Sequence, residues 1–267
     1  MKKCYIFVNK EKEKAMEFFG KVNLFLKEKE IEVVEKIEEA NFAIVIGGDG
    51  TLLRASKTII KNPEIEVFAV NGGNLGFLTE IKLEKAIESI QKYLNGDYKI
   101  KERKFLTVNI KNRQYDALNE IVFYKNNVGV NLVKLSVYSN SEFMSNYRGD
   151  GLIVCTPTGS TAYSMSAGGP IVSPNVNAII LTPIAAHNLS TRPVVIGEEE
   201  ELTITVNGED KFANVLIDGE NIDLISCEDN VVIKVLGKKL KMIVLNGEEQ
   251  NHYSILRETL KWGNSLC

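Results

Sequence analysis

At 267 residues the chain can hold one large domain or two ordinary ones, and its 44% hydrophobic and 25% charged content supplies a globular core. The 32 basic residues are offset by 35 acidic ones for a net charge of -3, which argues against a nucleic-acid binder. No apolar run approaches the roughly 20 residues of a membrane helix. The four cysteines stand far apart, at 4, 155, 227 and 267, without a C-x-x-C pair, which disfavours a zinc framework and fits a reducing, cytoplasmic setting.

Residues 4–8 read as a first core strand, too short for the apolar region of a secretion signal. Glu13 to Lys29 reads as an amphipathic helix with Met16, Phe19, Leu24 and Phe25 among its apolar positions, followed by a weaker strand at 31–34. The continuous apolar run 42–46 has the signature of a buried parallel strand. It runs into Gly47-Gly48-Asp49-Gly50-Thr51, with a helix expected from Thr51 to Ile60. A strand at 67–70, a second glycine segment at 71–78 and a helix from Leu83 to Leu94 complete an open, mainly parallel α/β sheet, closed by Asn95-Gly96-Asp97.

Beyond residue 97 the pattern changes to short β-branched segments, among them 105–110, 117–124, 131–138, 152–155, 178–181, 202–206, 213–217, 231–236 and 241–245. Turn signals such as Asn126-Asn127, Asn207-Gly208, Asp218-Gly219 and Asn246-Gly247 separate them. The fold expected is therefore α/β plus all-β: a Rossmann-like open parallel sheet over 1–97, a β-sandwich-like domain over 98–247, and a segment over 248–267 that packs back on the first domain. Helix is expected in the β-rich part only near Thr161–Gly168, and again from about Tyr253 to Trp262.

A strand that ends in glycines and opens a helix offers bare amides and a helix N-terminus to phosphate, at the strand end where α/β sheets bind ligands. Asp49 repels that phosphate unless it accepts a proton from an attacking hydroxyl or helps to hold a divalent metal. The plainer reading is that Asp49 supports a turn and Thr51 caps the helix. Neither G-x-G-x-x-G nor G-x-x-x-x-G-K-[ST] is present, which removes the nicotinamide dehydrogenases and P-loop nucleotidases. His187 and His252, the two histidines, lie in no nucleophile motif, which disfavours hydrolysis.

Asn119-Glu120 interrupts the apolar strand 117–123, where two polar groups need partners: a base edge and a ribose diol, or each other in a bulge. The stretch from Arg148 to Pro170 is rich in glycine and hydroxyls and suits a flat base and a sugar, with Tyr163 against the base and Asp150 on ribose hydroxyls.

Taken together, the chain resembles the NAD kinase family over nearly its whole length. The resemblance rests on GGDGT at 47–51, N-x-G-x-L-G-F-L at 71–78, ALNE at 117–120 and TPTGSTAYSMSAGGPI at 156–171, with TPIAAHNLSTRPVV at 182–195 and Asp218-Gly219-Glu220. The first motif is shared with lipid kinases and phosphofructokinases; the fourth is highly specific.

The resemblance implies phosphorylation of the adenosine-ribose 2′-hydroxyl of NAD by ATP, with Mg²⁺ as the divalent metal. It implies Asp49 as catalytic, with Gly47, Gly48, Gly50 and Thr51 at the phosphates. NAD is expected at Asp49, Gly50, Arg54 and Phe77, with Asn119 and Glu120 as the adenosine pair and Thr161, Ala162, Tyr163, Ser164, Met165 and Ser166 lining the adenine and its ribose. Arg148, Asp150 and Ala185 match the nicotinamide end, which the family builds partly from a neighbouring subunit of a homo-oligomer, a dimer or tetramer; Glu220 lines the site. The chain departs from the family at Ala185-Ala186 and at Asn74, where a basic residue is common. A lipid kinase sharing the GGDGT loop and a non-catalytic NAD sensor are the alternatives.

Overall fold

The structure, a computed structural model, describes residues 2–73, 76–79, 81–126, 132–208, 212–247 and 251–261. The readings at Asn74, Leu75, Asn127, Asn131 and Trp262 lie outside those residues. The chain divides into two compact units, residues 1–103 with 239–267, and residues 104–238.

In the first unit, β1 (Lys3–Val8), α1 (Glu13–Glu28), β2 (Glu32–Val34), β3 (Phe42–Gly47), α2 (Asp49–Ile59), β4 (Glu66–Asn71), β5 (Ile81–Lys82), α3 (Leu83–Leu94) and β6 (Tyr98–Lys104) follow in order. Helix α1 buries Ala15, Phe18, Val22 and Leu26, one stripe at helical spacing, while Met16 and Leu24 are exposed. Strand β3 is buried along its whole length, as its unbroken apolar run requires. Its parallel pairing with β4 sets Gly47 opposite Asn71, so both glycine loops leave adjacent strands at one level. The Gly72 amide donates to the Gly47 carbonyl at 3.0 Å and ties the loops together.

The second unit holds β7 (Leu106–Ile110), β8 (Arg113–Ala117), β9 (Glu120–Lys125), β10 (Val133–Ser139), β11 (Glu142–Gly149) and β12 (Gly151–Cys155). A 3₁₀ turn at Thr158–Thr161 and the single-turn α4 (Tyr163–Ser166) lead to β13 (Ala178–Ile184), β14 (Val194–Gly197), β15 (Leu202–Val206), β16 (Ala213–Ile217), β17 (Glu220–Ile225) and β18 (Asn230–Lys234). The strands form two six-stranded sheets, ordered β11-β10-β15-β18-β7-β8 and β14-β13-β12-β9-β16-β17. Alternate residues of both sheets, such as Val108 and Leu135 in one and Phe123 and Val154 in the other, share one core, so the unit is a β-sandwich. The outer face of the second sheet is also covered: Val122, Ile153, Cys155 and Ile180 pack with Ala167 and Val172.

The chain then returns to the first sheet through β19 (Lys239–Leu245) and ends in α5 (His252–Leu260). The sheet runs β2-β1-β3-β4-β19-β6, with β5 paired to β4. The segment 241–245 therefore belongs to the parallel sheet and not to the β-rich part with which its short β-branched character grouped it. The same edge of β4 receives β19 at Glu66 and Val67 and β5 at Val70 and Asn71. No described helix is long and apolar enough to cross a membrane.

Ile243 of β19 is 4% exposed and packs in the core of the first unit with Phe42, Phe68 and Ile90. Ile243→Ala is expected to lower stability by about 2–5 kcal/mol, measured by urea unfolding of the parent and the variant.

Candidate functional site

The first unit assembles the glycine loops. Helix α2 begins at Asp49, two residues before the Thr51 start expected from the sequence, with Gly48 extended as its N-cap. Asp49 and Gly50 thus sit in the first helical turn, whose amides have no acceptor within the helix and favour an anion. Thr51 is buried, its side chain against Gly47, and its amide donates to the Gly48 carbonyl at 2.8 Å. Gly50 is exposed, and Arg54 is exposed one turn further along the same helix.

Asp49 is clamped by the second glycine loop. Its Oδ2 accepts the Phe77 amide at 2.8 Å. Its Oδ1 accepts the Leu78 amide at 3.2 Å, the Thr79 amide at 3.1 Å and the Thr79 hydroxyl at 3.0 Å. A carboxylate oxygen offers about two lone-pair directions. Oδ1 is therefore saturated, while among the described residues Oδ2 has one donor and keeps one direction open. Gly76 is the condition for this arrangement: a Cβ there would overlap the Asp49 carboxyl group. The whole clamp is local to unit one and brings Gly47, Gly48, Asp49, Gly50, Thr51 and Phe77 together.

In the second unit Asn119 and Glu120 stand at the start of β9. Because side chains alternate along a strand, Ile121 and Phe123 enter the sandwich core while Val122 packs on the outer face. Asp218, at φ 46° in the β16–β17 turn, organises the entry to β9. It accepts the Leu118 amide at 2.8 Å, the Asn119 amide at 2.8 Å and the Glu120 amide at 3.0 Å. Gly159 packs on the Asn119 carbonyl so closely that any Cβ would collide with it. Asn119 and Glu120 are each 7% exposed. Asn119 Oδ1 and Glu120 Oε2 are buried without a hydrogen-bond partner. Native structures leave few such atoms, and each calls for an explanation, a bound polar ligand among them. Burial first, and then the Asp218 charge, push the Glu120 carboxyl up to about 8 from its ordinary 4.5.

Much of the hydroxyl-rich stretch is spent on folding itself. The Thr156 hydroxyl donates to the Leu118 carbonyl at 2.7 Å and accepts the Gly159 amide at 3.0 Å. Ser160 bridges Pro157 and Val172, and the fully buried Ser164 shares a 2.8 Å bond with Thr182. Thr161, Ala162 and Met165 are half-buried, while Tyr163 and Ser166 are exposed. Burial, then the neighbouring Tyr124 and Asp150, raise the Tyr163 phenol, which puts those three groups in one neighbourhood. Asp150 forms a 2.7 Å ion pair with Lys125. Arg148 and Ala185 are exposed, Ala185 at φ 44°, and Glu220 is exposed beside the Asp218 turn.

Three of these residues carry more than the sequence suggested. Thr79 directly follows the 71–78 segment. Asp218 reads in the sequence as one half of a turn signal, and Lys125 is one lysine among many on a strand end. Of the three, Asp218 has the clearest signal, since an Asp before Gly offers both a turn and a free carboxylate. Among the described residues, no group of three or more His, Cys, Asp or Glu side chains converges as a metal-binding cluster.

Residues 8–98 match the family model for the ATP-NAD kinase N-terminal domain, and residues 118–245 that for the ATP-NAD kinase C-terminal domain. The chain is 42% identical over 270 residues to an NAD kinase of Fusobacterium nucleatum, covering 100% of both proteins. It is 36% identical to an NAD kinase of Caldicellulosiruptor saccharolyticus, covering 96% of this chain and 98% of the relative. In fold it is similar to yeast NADH kinase complexed with NADH, with a TM-score of 0.91 at 22% identity, over 100% of this chain and 89% of that one. It is also similar to an Archaeoglobus fulgidus NAD kinase in complex with ATP, with a TM-score of 0.77 at 24% identity, over 97% and 99%.

The Glu120 carboxyl gives a pH signature. Its raised value in the fold means that its contribution to stability is complete below pH 4.5 and is lost as pH rises through about 8. Glu120→Gln, which cannot ionise, is expected to leave the ligand-free melting temperature near the parent's at pH 5 and to exceed it at pH 9. A calorimetric melt of both proteins at the two pH values checks this.

Proposed function

The chain belongs to the NAD kinase family, and we propose that it transfers the terminal phosphoryl group of ATP to the 2′-hydroxyl of the adenosine ribose of NAD, giving NADP. The observation that carries this reading is the Asp49 carboxylate, fixed by hydrogen bonds from residues 77–79 with one direction on Oδ2 left open, beside a helix N-terminus. A fixed carboxylate with one free acceptor direction suits the orientation of an attacking hydroxyl. A ribose hydroxyl is far less acidic than a carboxylic acid, so Asp49 orients it first and takes its proton late in phosphoryl transfer.

The first unit handles the donor phosphates through Gly47, Gly48 and Gly50, with Thr51 holding the turn behind them. The second unit holds NAD. Asn119 Oδ1 and Glu120 Oε2, buried and without partners, are acceptors for an exocyclic amine and a ribose hydroxyl. Thr161–Ser166 line the adenosine half, and Tyr163 offers an exposed ring to the base. Arg54 and Phe77 belong to the phosphate-loop unit, and Glu220 to the unit that carries Asn119 and Glu120. Arg148, Asp150 and Ala185 serve the nicotinamide half, completed by a neighbouring copy in a homo-oligomer. Asp49 is the carboxylate at the phosphate loop, and Mg²⁺ is characteristically held by one or two carboxylates with substrate phosphates and water. Because Asp49 keeps its one open direction for the hydroxyl, such an ion would arrive with ATP, rest on phosphate and water oxygens, and neutralise phosphate charge.

Purified protein supplied with NAD, ATP and Mg²⁺ is expected to form NADP, read by an NADP-specific dehydrogenase; phosphorylation of a lipid without NADP would overturn the reading. Asp49→Asn should lower turnover by about 10²-fold or more with little change in NAD affinity. In the parent, NAD affinity should rise with pH through about 8, as Glu120 becomes the carboxylate that accepts the ribose hydroxyl. Glu120→Gln should abolish that dependence and weaken binding at pH 9 by roughly ten-fold. Titration calorimetry at pH 7 and pH 9 measures both effects.

A further inference from the structure

The Asp49 clamp has an outer layer. Thr79 is fully buried and Asn71 is 4% exposed. The Gly73 amide donates to Asn71 Oδ1 at 2.7 Å, which fixes the Asn71 side chain with its NH₂ group turned the other way. Asn71 Nδ2 then donates to Thr79 Oγ1 at 3.0 Å and to the Thr79 carbonyl at 3.3 Å. Thr79 Oγ1 stands 3.0 Å from Asp49 Oδ1. An ionised carboxylate only accepts, and the amide hydrogen of Asn71 already points at the hydroxyl oxygen, so the Thr79 hydrogen is directed at Asp49. Every bond in the series thus has one possible polarity.

We propose that Thr79 is a positioning residue for phosphoryl transfer, its hydroxyl adding the shortest of the three bonds to Oδ1 of Asp49 and so holding Oδ2 toward the attacking hydroxyl, with Asn71 fixing the direction of the Thr79 hydroxyl. This rests on the reading of Asp49 as the proton acceptor. Without the Thr79 hydroxyl, Oδ1 keeps only its two longer bonds, the amides at 3.2 and 3.1 Å, and loses the shortest of the three. The three amides still hold the carboxyl group, but less tightly about its χ2 axis, so Oδ2 no longer keeps a single orientation toward the substrate hydroxyl. A rotation that moves the acceptor by a fraction of an ångström leaves substrate binding largely intact but spoils the aligned geometry that transfer requires. The deficit falls on kcat.

The experiment compares Thr79→Val, which keeps the shape and removes the hydroxyl, with Thr79→Ser, which keeps the hydroxyl. Asp49→Asn and the parent run beside them in the NADP-forming assay. Thr79→Val is expected to lower kcat by roughly ten-fold to a hundred-fold while KM for NAD and for ATP stay within about two-fold. Thr79→Ser is expected to recover kcat to within about three-fold of the parent. Should Thr79→Val fail to melt cooperatively, Thr79→Ala, which removes the hydroxyl without overfilling the site, carries the same comparison. A hydroxyl-free variant with parental kcat overturns the proposal, as does an equal loss in the valine and serine variants or a change confined to KM. Near-parental turnover in Asp49→Asn overturns the reading of Asp49 itself. An inactive Asp49→Asn beside a fully active Thr79→Val overturns the role of Thr79 alone.

Discussion

One carboxylate organises the phosphate-loop half of the candidate site. Asp49 opens helix α2 just after β3, yet its hydrogen-bond partners, Phe77, Leu78 and Thr79, all come from the loop after β4. The parallel register brings Gly47 level with Asn71 and makes that reach possible. An amide buried without a partner costs about 1–3 kcal/mol, so three consecutive amides turned toward one point demand an acceptor there. The shape of the 77–79 turn and the position of Asp49 therefore determine each other. A loop that satisfied its amides elsewhere would have no reason to hold the carboxyl group still.

The second unit uses the same device for a different purpose. Asp218 accepts three consecutive amides, from Leu118, Asn119 and Glu120, and so fixes the backbone at the start of β9. There the acceptor is structural, and the groups offered outward are the two side chains it positions. The arrangement also places the Asp218 charge near Glu120, which adds to burial in holding that carboxyl group protonated. Burial without partners is unfavourable for the ligand-free fold. It is tolerated where a ligand supplies the missing bonds, and in the proposed reading that strain, more than position in a strand, is the argument for binding at this pair.

The legible part of the molecule is the part written in local patterns. The unbroken apolar run of β3, the glycines that end it and the alternation of strand and helix give the first sheet. The short β-branched segments give the sandwich. Strand β19 shows where local reading fails. Its Met242-Ile243-Val244-Leu245 run is as continuous as that of β3, but its place beside β4 is a contact across most of the chain, which no local period encodes. Helix α1 shows a smaller failure of the same kind. Met16 and Leu24 are apolar and exposed, because the stripe through Ala15, Phe18, Val22 and Leu26 had already matched the sheet.

The candidate site divides along the same line. Asp49, Asn119 and Glu120 stand out in the sequence because each is polar where its neighbours call for something else. Thr79 does not, since a threonine after a short apolar step is unremarkable until its hydroxyl is seen to point at a carboxylate. Gly76 joins the two levels. In the sequence it is one glycine in a flexible-looking segment, whereas in the fold it leaves the space that the Asp49 carboxyl group fills. The glycines of the second loop thus serve geometry as much as mobility, and residues 76–79 act as a rigid receptor for a side chain from the first loop. In the proposed reading of Asp49, a carboxylate held in that way loses little orientational freedom when substrate arrives, which favours an early alignment of the hydroxyl and a late transfer of its proton.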